Sequence, residues 1–308
     1  MPCKTRRRRD VTFDVMQPHY QLSRASSTTL RIELERALGD ELVVERELAE
    51  SANAHLFVAT ETALRRRVVL KVLRLELSTH LDTARFRREI ELTAKLAHPN
   101  IVPVLTAGEG GGFLYYTMPF VQGESLYSCL ERERTLSLTT AVFILRDLTR
   151  ALAFAHANGV VHRDVKPDNV LLELGTALLT DFGIAKALVG AMSMQRTGPG
   201  VAIGTPTYVS PEQAAGDPLV DHRSDLYSLG VVAFEMLAGR PPFTYVGLRA
   251  LLAAHQHEPP PPISDLRHDT PEWLANLVMH LLEKRPDDRP ASADDVLHAL
   301  DASLSVSA

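Results

Sequence analysis

The sequence predicts an α+β fold of two lobes. The smaller holds a five-stranded antiparallel sheet plus one helix, and the larger is mostly helical. Three observations carry this. Short runs of β-branched and aliphatic residues recur between Leu42 and Met118, separated by turn residues. After Gly123 the apolar spacing becomes helical and stays so almost to the C-terminus. A chain of 308 residues, 45% of them hydrophobic, is long enough for two lobes with substantial cores.

Taken in order, residues 1–41 read as a tail. Arg6 to Arg9 form a basic run and a polar stretch ends in Ser26-Ser27-Thr28-Thr29. The run is expected to be a solvated arm, with contact to an acidic partner as the alternative. Thr28 or Thr29 is placed to cap a short helix, Leu30 to Leu38, that Gly39 stops. The small lobe, 42–121, begins with three strands at Leu42–Val44, Leu56–Ala59 and Val68–Leu73. Arg85 to Ala97 has helical spacing with Phe86, Ile90, Leu92 and Leu96 inward, and His98-Pro99-Asn100 ends it. Ile101–Leu105 and Phe113–Met118 supply two more strands around a turn at Gly108 to Gly112. The large lobe, 122–303, is expected to carry helices near 125–132, 138–158, 223–238, 246–256, 271–283 and 293–303, with a short tail at 304–308. Pro259 to Pro262 are expected to bridge two helices rather than recruit a proline-binding partner.

Several function classes are excluded or disfavoured by composition. A net charge of −5 lacks the basic field that nucleic-acid binding needs. No apolar run approaches the ~20 residues of a membrane span, and the N-terminus lacks a signal-peptide core. Two cysteines, Cys3 and Cys129, provide no disulfide framework and fit a reducing cytoplasm.

Chemistry concentrates in His162-Arg163-Asp164-Val165-Lys166-Pro167-Asp168-Asn169, with Asp181-Phe182-Gly183 beginning twelve residues beyond Asn169. Ordered as H-R-D-x-K-x-x-N followed by D-F-G, these residues resemble the eukaryotic-like (Hanks-type) serine/threonine protein kinases, particularly the bacterial ones. Gly204-Thr205-Pro206-Thr207-Tyr208 and Ser210-Pro211-Glu212 resemble the family's G-T-x-x-Y and A-P-E elements, so the likeness runs through the large lobe.

The resemblance implies a bilobal kinase domain over 42–303 that transfers the γ-phosphoryl of ATP to protein Ser/Thr hydroxyls, its own included. It implies Mg²⁺, or Mn²⁺ in its place, protein substrates, a cytoplasmic location and a homodimer when one copy phosphorylates another. By position, Asp164 would orient the hydroxyl and accept its proton, and Lys166 would offset charge on the transferring phosphate. Asn169 and Asp181 would offer oxygens to the metal. Lys71, ending Val68-Val69-Leu70-Lys71, would bind phosphates and pair with Glu89, 18 residues on. Met118 would be the gatekeeper, with Pro119, Phe120 and Val121 as the hinge; Val69 and Leu171 complete the nucleotide contacts. Arg163 implies control by an activation-segment phosphate, with Ser193 and Thr197 as candidate acceptors. Thr205 would bond Asp164 and Lys166, Glu212 would pair with Arg289, and Asp225 would brace the catalytic loop.

One element departs from the family pattern. The positions of G-x-G-x-x-G-x-V fall at Ala49, Ser51, Ala54 and Leu56, and no glycine occurs from Asp40 to Ala107. Non-glycine residues forced into left-handed backbone would cost roughly 1–2 kcal/mol. That predicts ATP binding weaker by about one to two decades. The alternative is therefore a pseudokinase, a nucleotide-binding signalling scaffold with little activity.

Overall fold

A computed structural model describes residues 24–50, 54–73, 83–110, 113–182 and 206–306. Five strands make one antiparallel sheet: β1 (Leu42–Glu50), β2 (Ala54–Glu61), β3 (Arg66–Leu73), β4 (Thr106–Gly110) and β5 (Phe113–Pro119), in the order β1-β2-β3-β5-β4. Among the described residues two helices accompany it, α1 (Arg24–Leu38) and α2 (Thr83–Thr93).

α1 starts earlier than Thr28 or Thr29 would allow as caps, and Gly39, at φ +57°, ends it as expected. Leu34 and Leu38, one turn apart, are buried on the outer face of the sheet with Val44, Phe57, Leu70 and Val72. Burying Leu34 contributes about 2 kcal/mol. Arg31 fixes the helix by donating to the carbonyls of Val44 (2.9 Å) and Glu45 (3.2 Å).

Two expectations need correction. The fourth strand is Thr106–Gly110, not Ile101–Leu105. Ile101 makes only an isolated parallel bridge to Leu179, and Val102 N–H donates to the Leu179 carbonyl, so this segment packs against the large lobe. Gly108 lies within β4 because a Cβ there would come 2.5 Å from the Tyr115 hydroxyl. The glycines that signal a turn partly serve this close approach. α2 also stops at Thr93, before His98-Pro99, and the Thr93 hydroxyl bonds back to the Glu89 carbonyl at 2.9 Å. Leu96, expected within the helix, is buried just beyond it; the Phe86 side chain lies outside the described residues.

The large lobe opens with β6 (Glu124–Ser125), α3 (Leu126–Glu133) and α4 (Leu138–Ala157). β7 (Val170–Glu173) pairs with β6 on one side and with β8 (Thr176–Leu179) on the other, a three-stranded sheet that the helical reading did not anticipate. Then come α5 (Pro211–Ala215), α6 (Arg223–Ala238), α7 (Leu248–His257), α8 (Ile263–Leu266), α9 (Glu272–Leu281) and α10 (Ala293–Val306). α4 and α6 run through the centre: Leu148, Leu152, Leu229 and Phe234 are fully buried. Pro259 to Pro262 connect α7 to α8, the bridging role expected of them. No helix of the described residues is long and apolar enough to cross a membrane.

α7 carries an acid-sensitive contact. His255 is fully buried, 3.0 Å from the Tyr227 hydroxyl and edge-on to Phe243. Burial, with the Lys284 ammonium nearby, pushes its pKa down from 6.5 to about 4. The unfolded chain therefore takes up a proton that the folded one refuses. Stability should be full above pH 6.5 and fall by about 3 kcal/mol as pH drops toward 4. Urea titrations of wild type and His255→Gln across this range test it, the variant's profile being flatter; parallel profiles would count against the assignment.

Candidate active site

The loop between α4 and β7 is held from beneath by one carboxylate. Asp225, in the first turn of α6 and fully buried, accepts the backbone N–H groups of His162 and Arg163, each at 2.7 Å. His156 Nε2 lies 2.9 Å from the same carboxylate. Burial alone would raise the Asp225 pKa, but the His156 hydrogen bond and the loop N–H groups hold it below the usual range. The expected bracing role is thus present in geometry.

His162 sets the other side. Asp164 N–H donates to its Nδ1 at 3.2 Å, which leaves Nε2 as the N–H that donates to the Thr180 carbonyl at 2.9 Å. Burial lowers the His162 pKa, so the ring is neutral and this tautomer is retained. The ring lies 4.6 Å from that of Phe182, tying the H-R-D segment to the D-F-G segment.

Above this base, Asp164, Lys166 and Asn169 converge. The Asn169 carboxamide donates to the Asp164 carbonyl (2.8 Å) and carboxylate (3.1 Å), and the Lys166 ammonium lies 3.1 Å from the same carboxylate oxygen. Burial would lower the Lys166 pKa, yet Asp164 and Asp168 outweigh it and keep the lysine charged. With its NH₂ committed to Asp164, Asn169 has its carboxamide oxygen left to serve a cation. Asp181 has φ +62°, a conformation aspartate tolerates better than most residues. Two oxygen-bearing side chains suit a hard divalent cation.

The expected Lys71–Glu89 pair is not formed. The Lys71 ammonium lies 2.8 Å from Asp181 Oδ1, and the Tyr116 hydroxyl donates to that oxygen at 3.1 Å. Both carboxylates are partly buried; Asp181, with 16% of its side chain exposed, is the one that also receives the Tyr116 hydroxyl, a second donor that holds it in place for the lysine. Burial pushes the Asp181 carboxyl up, and Lys71 and Tyr116 together bring it below its ordinary value. Tyr116 escaped the sequence reading because a tyrosine in a strand reads as core packing.

The residues expected around the nucleotide largely share one apolar cluster. Ala54, Val69 and Met118 are buried in it, with Leu56, Phe120, Val121 and Leu171 packed against them. Leu171 comes from the large lobe and the others from the small lobe or hinge, so the cluster joins the two. Ala49 lies outside it, in the β1–β2 ladder opposite Leu56.

The lid itself differs from expectation. Among the described residues, positive φ at a non-glycine occurs at Arg65, Arg134, Arg163, Leu174 and Asp181, and not at Ala49 or Ala54. Both alanines sit in strands, so the left-handed strain expected of them is absent; Ser51 lies outside the described residues. The strands flanking the loop are strapped instead, with His55 Nδ1 2.9 Å from Glu47 and Nε2 3.9 Å from Glu50. Restoring Ala49→Gly and Ala54→Gly is therefore expected to leave ATP affinity unchanged. Ala54→Gly, which deletes a buried methyl, should cost about 1 kcal/mol of stability. Calorimetric titration with ATP checks this, and a tenfold gain, ~1.4 kcal/mol, would return strain to the lid.

Ser193, Thr197 and Thr205 also fall outside the described residues. Beyond them, Ser210 forms a capping box with Gln213 at the start of α5, and Gln213 reaches back to the Arg163 carbonyl at 3.0 Å. Glu212 and Arg289 form the expected bidentate pair, both contacts at 2.8 Å.

Comparison with known proteins agrees with this geometry. The family model described as protein kinase domain matches residues 42–300. Serine/threonine-protein kinase PknA of Mycobacterium tuberculosis is 40% identical over 266 residues, 84% of this chain and 60% of the relative. Serine/threonine-protein kinase pkn3 of Myxococcus xanthus is 38% identical over 261 residues, 82% of this chain and 48% of the relative. Serine/threonine-protein kinase PknJ of M. tuberculosis is 39% identical over 269 residues, 85% of this chain and 45% of the relative. The chain thus spans about half the length of the relatives it matches. With the catalytic-loop residues gathered at one cleft and the match covering nearly all of both lobes, the chain belongs to the protein kinase domain family, in which it resembles the bacterial Hanks-type serine/threonine kinases.

Proposed function

We propose that this chain is an ATP-dependent serine/threonine protein kinase, active rather than a pseudokinase, that phosphorylates protein hydroxyls including its own. The observation that carries the reading is the convergence of Asp164, Lys166 and Asn169 within hydrogen-bond reach of one another, beside a charged Lys71–Asp181 pair. A decayed enzyme has no need to keep this set together.

Asp164 orients the substrate hydroxyl and takes its proton as the oxygen attacks the γ-phosphorus. Lys166, held beside Asp164, offsets the negative charge that grows on the transferring group. Lys71 holds the α and β phosphates once it leaves Asp181. Asn169 and Asp181 would hold the metal, which we assign as Mg²⁺ from the all-oxygen donor set; the chemistry it would supply there is neutralisation of phosphate charge. The apolar cluster of Val69, Met118 and Leu171 receives the adenine. The kinase domain is taken as 42–303, with a cytoplasmic location, where ATP is the donor, and with transient pairing of two copies for autophosphorylation.

Incubation of the whole chain with γ-labelled ATP and Mg²⁺ is expected to label serine or threonine, in the chain itself or in an added basic protein. Label that fails to exceed a no-enzyme blank, across Mg²⁺ and Mn²⁺, would retire the enzyme reading in favour of a binding scaffold.

A further inference from the structure

We propose that Tyr116 is a latch: its hydroxyl holds Asp181 against Lys71 and must release it before the metal–nucleotide complex can bind. The inference rests on the nucleotide-binding reading above and adds to it a residue that the family signature does not include.

The geometry is local. Tyr116 is buried, on β5 two residues before Met118, with its side chain in the pocket behind that methionine. Its apolar walls are Val102, Val104, Met118 and Phe182, and Thr93 and Thr180 line it beside Asp181. A leucine or phenylalanine would fill such a space without polar expense. The phenol hydroxyl needs a partner once buried, and it finds Asp181 Oδ1 at 3.1 Å. The same oxygen receives the Lys71 ammonium at 2.8 Å, and the ammonium lies 5.8 Å from the Tyr116 ring centre. Tyrosine, lysine and aspartate thus close on one another, with the tyrosine buried and the ion pair only slightly exposed.

Both contacts fall on Asp181 Oδ1, one of the two carboxylate oxygens a cation could take, and they hold the carboxylate against Lys71. Lys71 and Asp181 must separate for their own expected tasks, the one on phosphates and the other on the metal. The Tyr116 bond favours the closed arrangement, so binding of the metal complex must work against it. A ligand shifts such an equilibrium by its preference for one state, and its apparent affinity falls by the fraction of molecules held in the other. Tyr116 is therefore a positioning residue that sets how readily the cleft accepts its cofactor. When Asp181 is released, Glu89 on α2 is the carboxylate left for Lys71.

Tyr116→Phe keeps the ring and removes the bond. Calorimetric titration of the whole chain with ADP, once with Mg²⁺ and once with a chelator, reads the effect. We expect the variant to bind ADP about tenfold tighter with Mg²⁺ and equally without it, with its melting temperature reported alongside. Equal affinities for wild type and variant with Mg²⁺ would overturn the latch alone, as would weaker binding by the variant. A gain of the same size without metal would also overturn it, since the hydroxyl would then act through the adenine pocket. Absence of ADP binding by both proteins would remove the latch together with the nucleotide-binding reading on which it rests.

Discussion

Asp164→Asn should lower phosphoryl transfer by roughly 10²–10⁴-fold, the range a positioned general base contributes, while leaving nucleotide binding nearly intact. Asparagine preserves most of the contacts at this position. Its carboxamide oxygen can still accept the Asn169 and Lys166 contacts now made by the Asp164 carboxylate at 3.1 Å. The backbone of the loop is fixed elsewhere, by Asp225 on the His162 and Arg163 N–H groups. The substitution therefore removes a charge and a proton acceptor without removing the scaffold. Because Asp164 acts on the hydroxyl, the loss should fall on kcat, with KM for ATP little changed. Rates with γ-labelled ATP and a peptide acceptor, set beside ADP titration, separate the two. A variant that keeps its rate within a few-fold would show that another group takes the proton. A variant that loses nucleotide affinity in proportion would show that Asp164 supports the cleft.

The parts of this molecule that were legible in its sequence are those governed by short-range pattern. The alternating runs at Leu42, Leu56 and Val68 became β1 to β3, and helical spacing located α3, α4, α6, α7, α9 and α10 within two or three residues at most ends. The loop residues were legible because family spacing fixes them along the chain. What escaped depends on contacts across the chain. Glycines between Gly108 and Gly112 read as a turn, and only the Tyr115 ring lying over Gly108 shows why part of that stretch is a strand. Substituted glycines in the lid read as strain, yet Ala49 and Ala54 sit in regular strands with no left-handed backbone. Family logic paired Lys71 with Glu89. The choice of Asp181 goes with a tyrosine 45 positions along from the lysine, which no local pattern marks. Glu212 and Arg289 are 77 residues apart, and there the resemblance did supply the pair.

That pair carries the largest expected effect on stability. Arg289 has five N–H donors and uses all of them: Nη1 and Nη2 reach the two Glu212 oxygens at 2.8 Å, and the remaining three go to the carbonyls of Glu283, Arg223 and Lys284 at 2.8–3.0 Å. Its guanidinium also lies 5.0 Å above the Tyr227 ring, with essentially no side-chain exposure. Arg289→Met would leave a buried carboxylate and three carbonyls without donors. Removing one partner of a buried ion pair costs about 3–5 kcal/mol, much of it the desolvation of the charge left behind. Glu212→Gln removes the negative charge but keeps an acceptor, so it should cost less. In the double variant, Arg289→Met should cost less than it does in wild type, because no carboxylate is then stranded. Arg289→Lys should fall between, since an ammonium has three donors for five acceptors and cannot form the planar fork. Urea unfolding of wild type and the four variants gives these differences directly. Additive effects of the two substitutions would mean that Glu212 and Arg289 stabilise the lobe through their separate backbone and packing contacts, and that the ion pair adds nothing of its own.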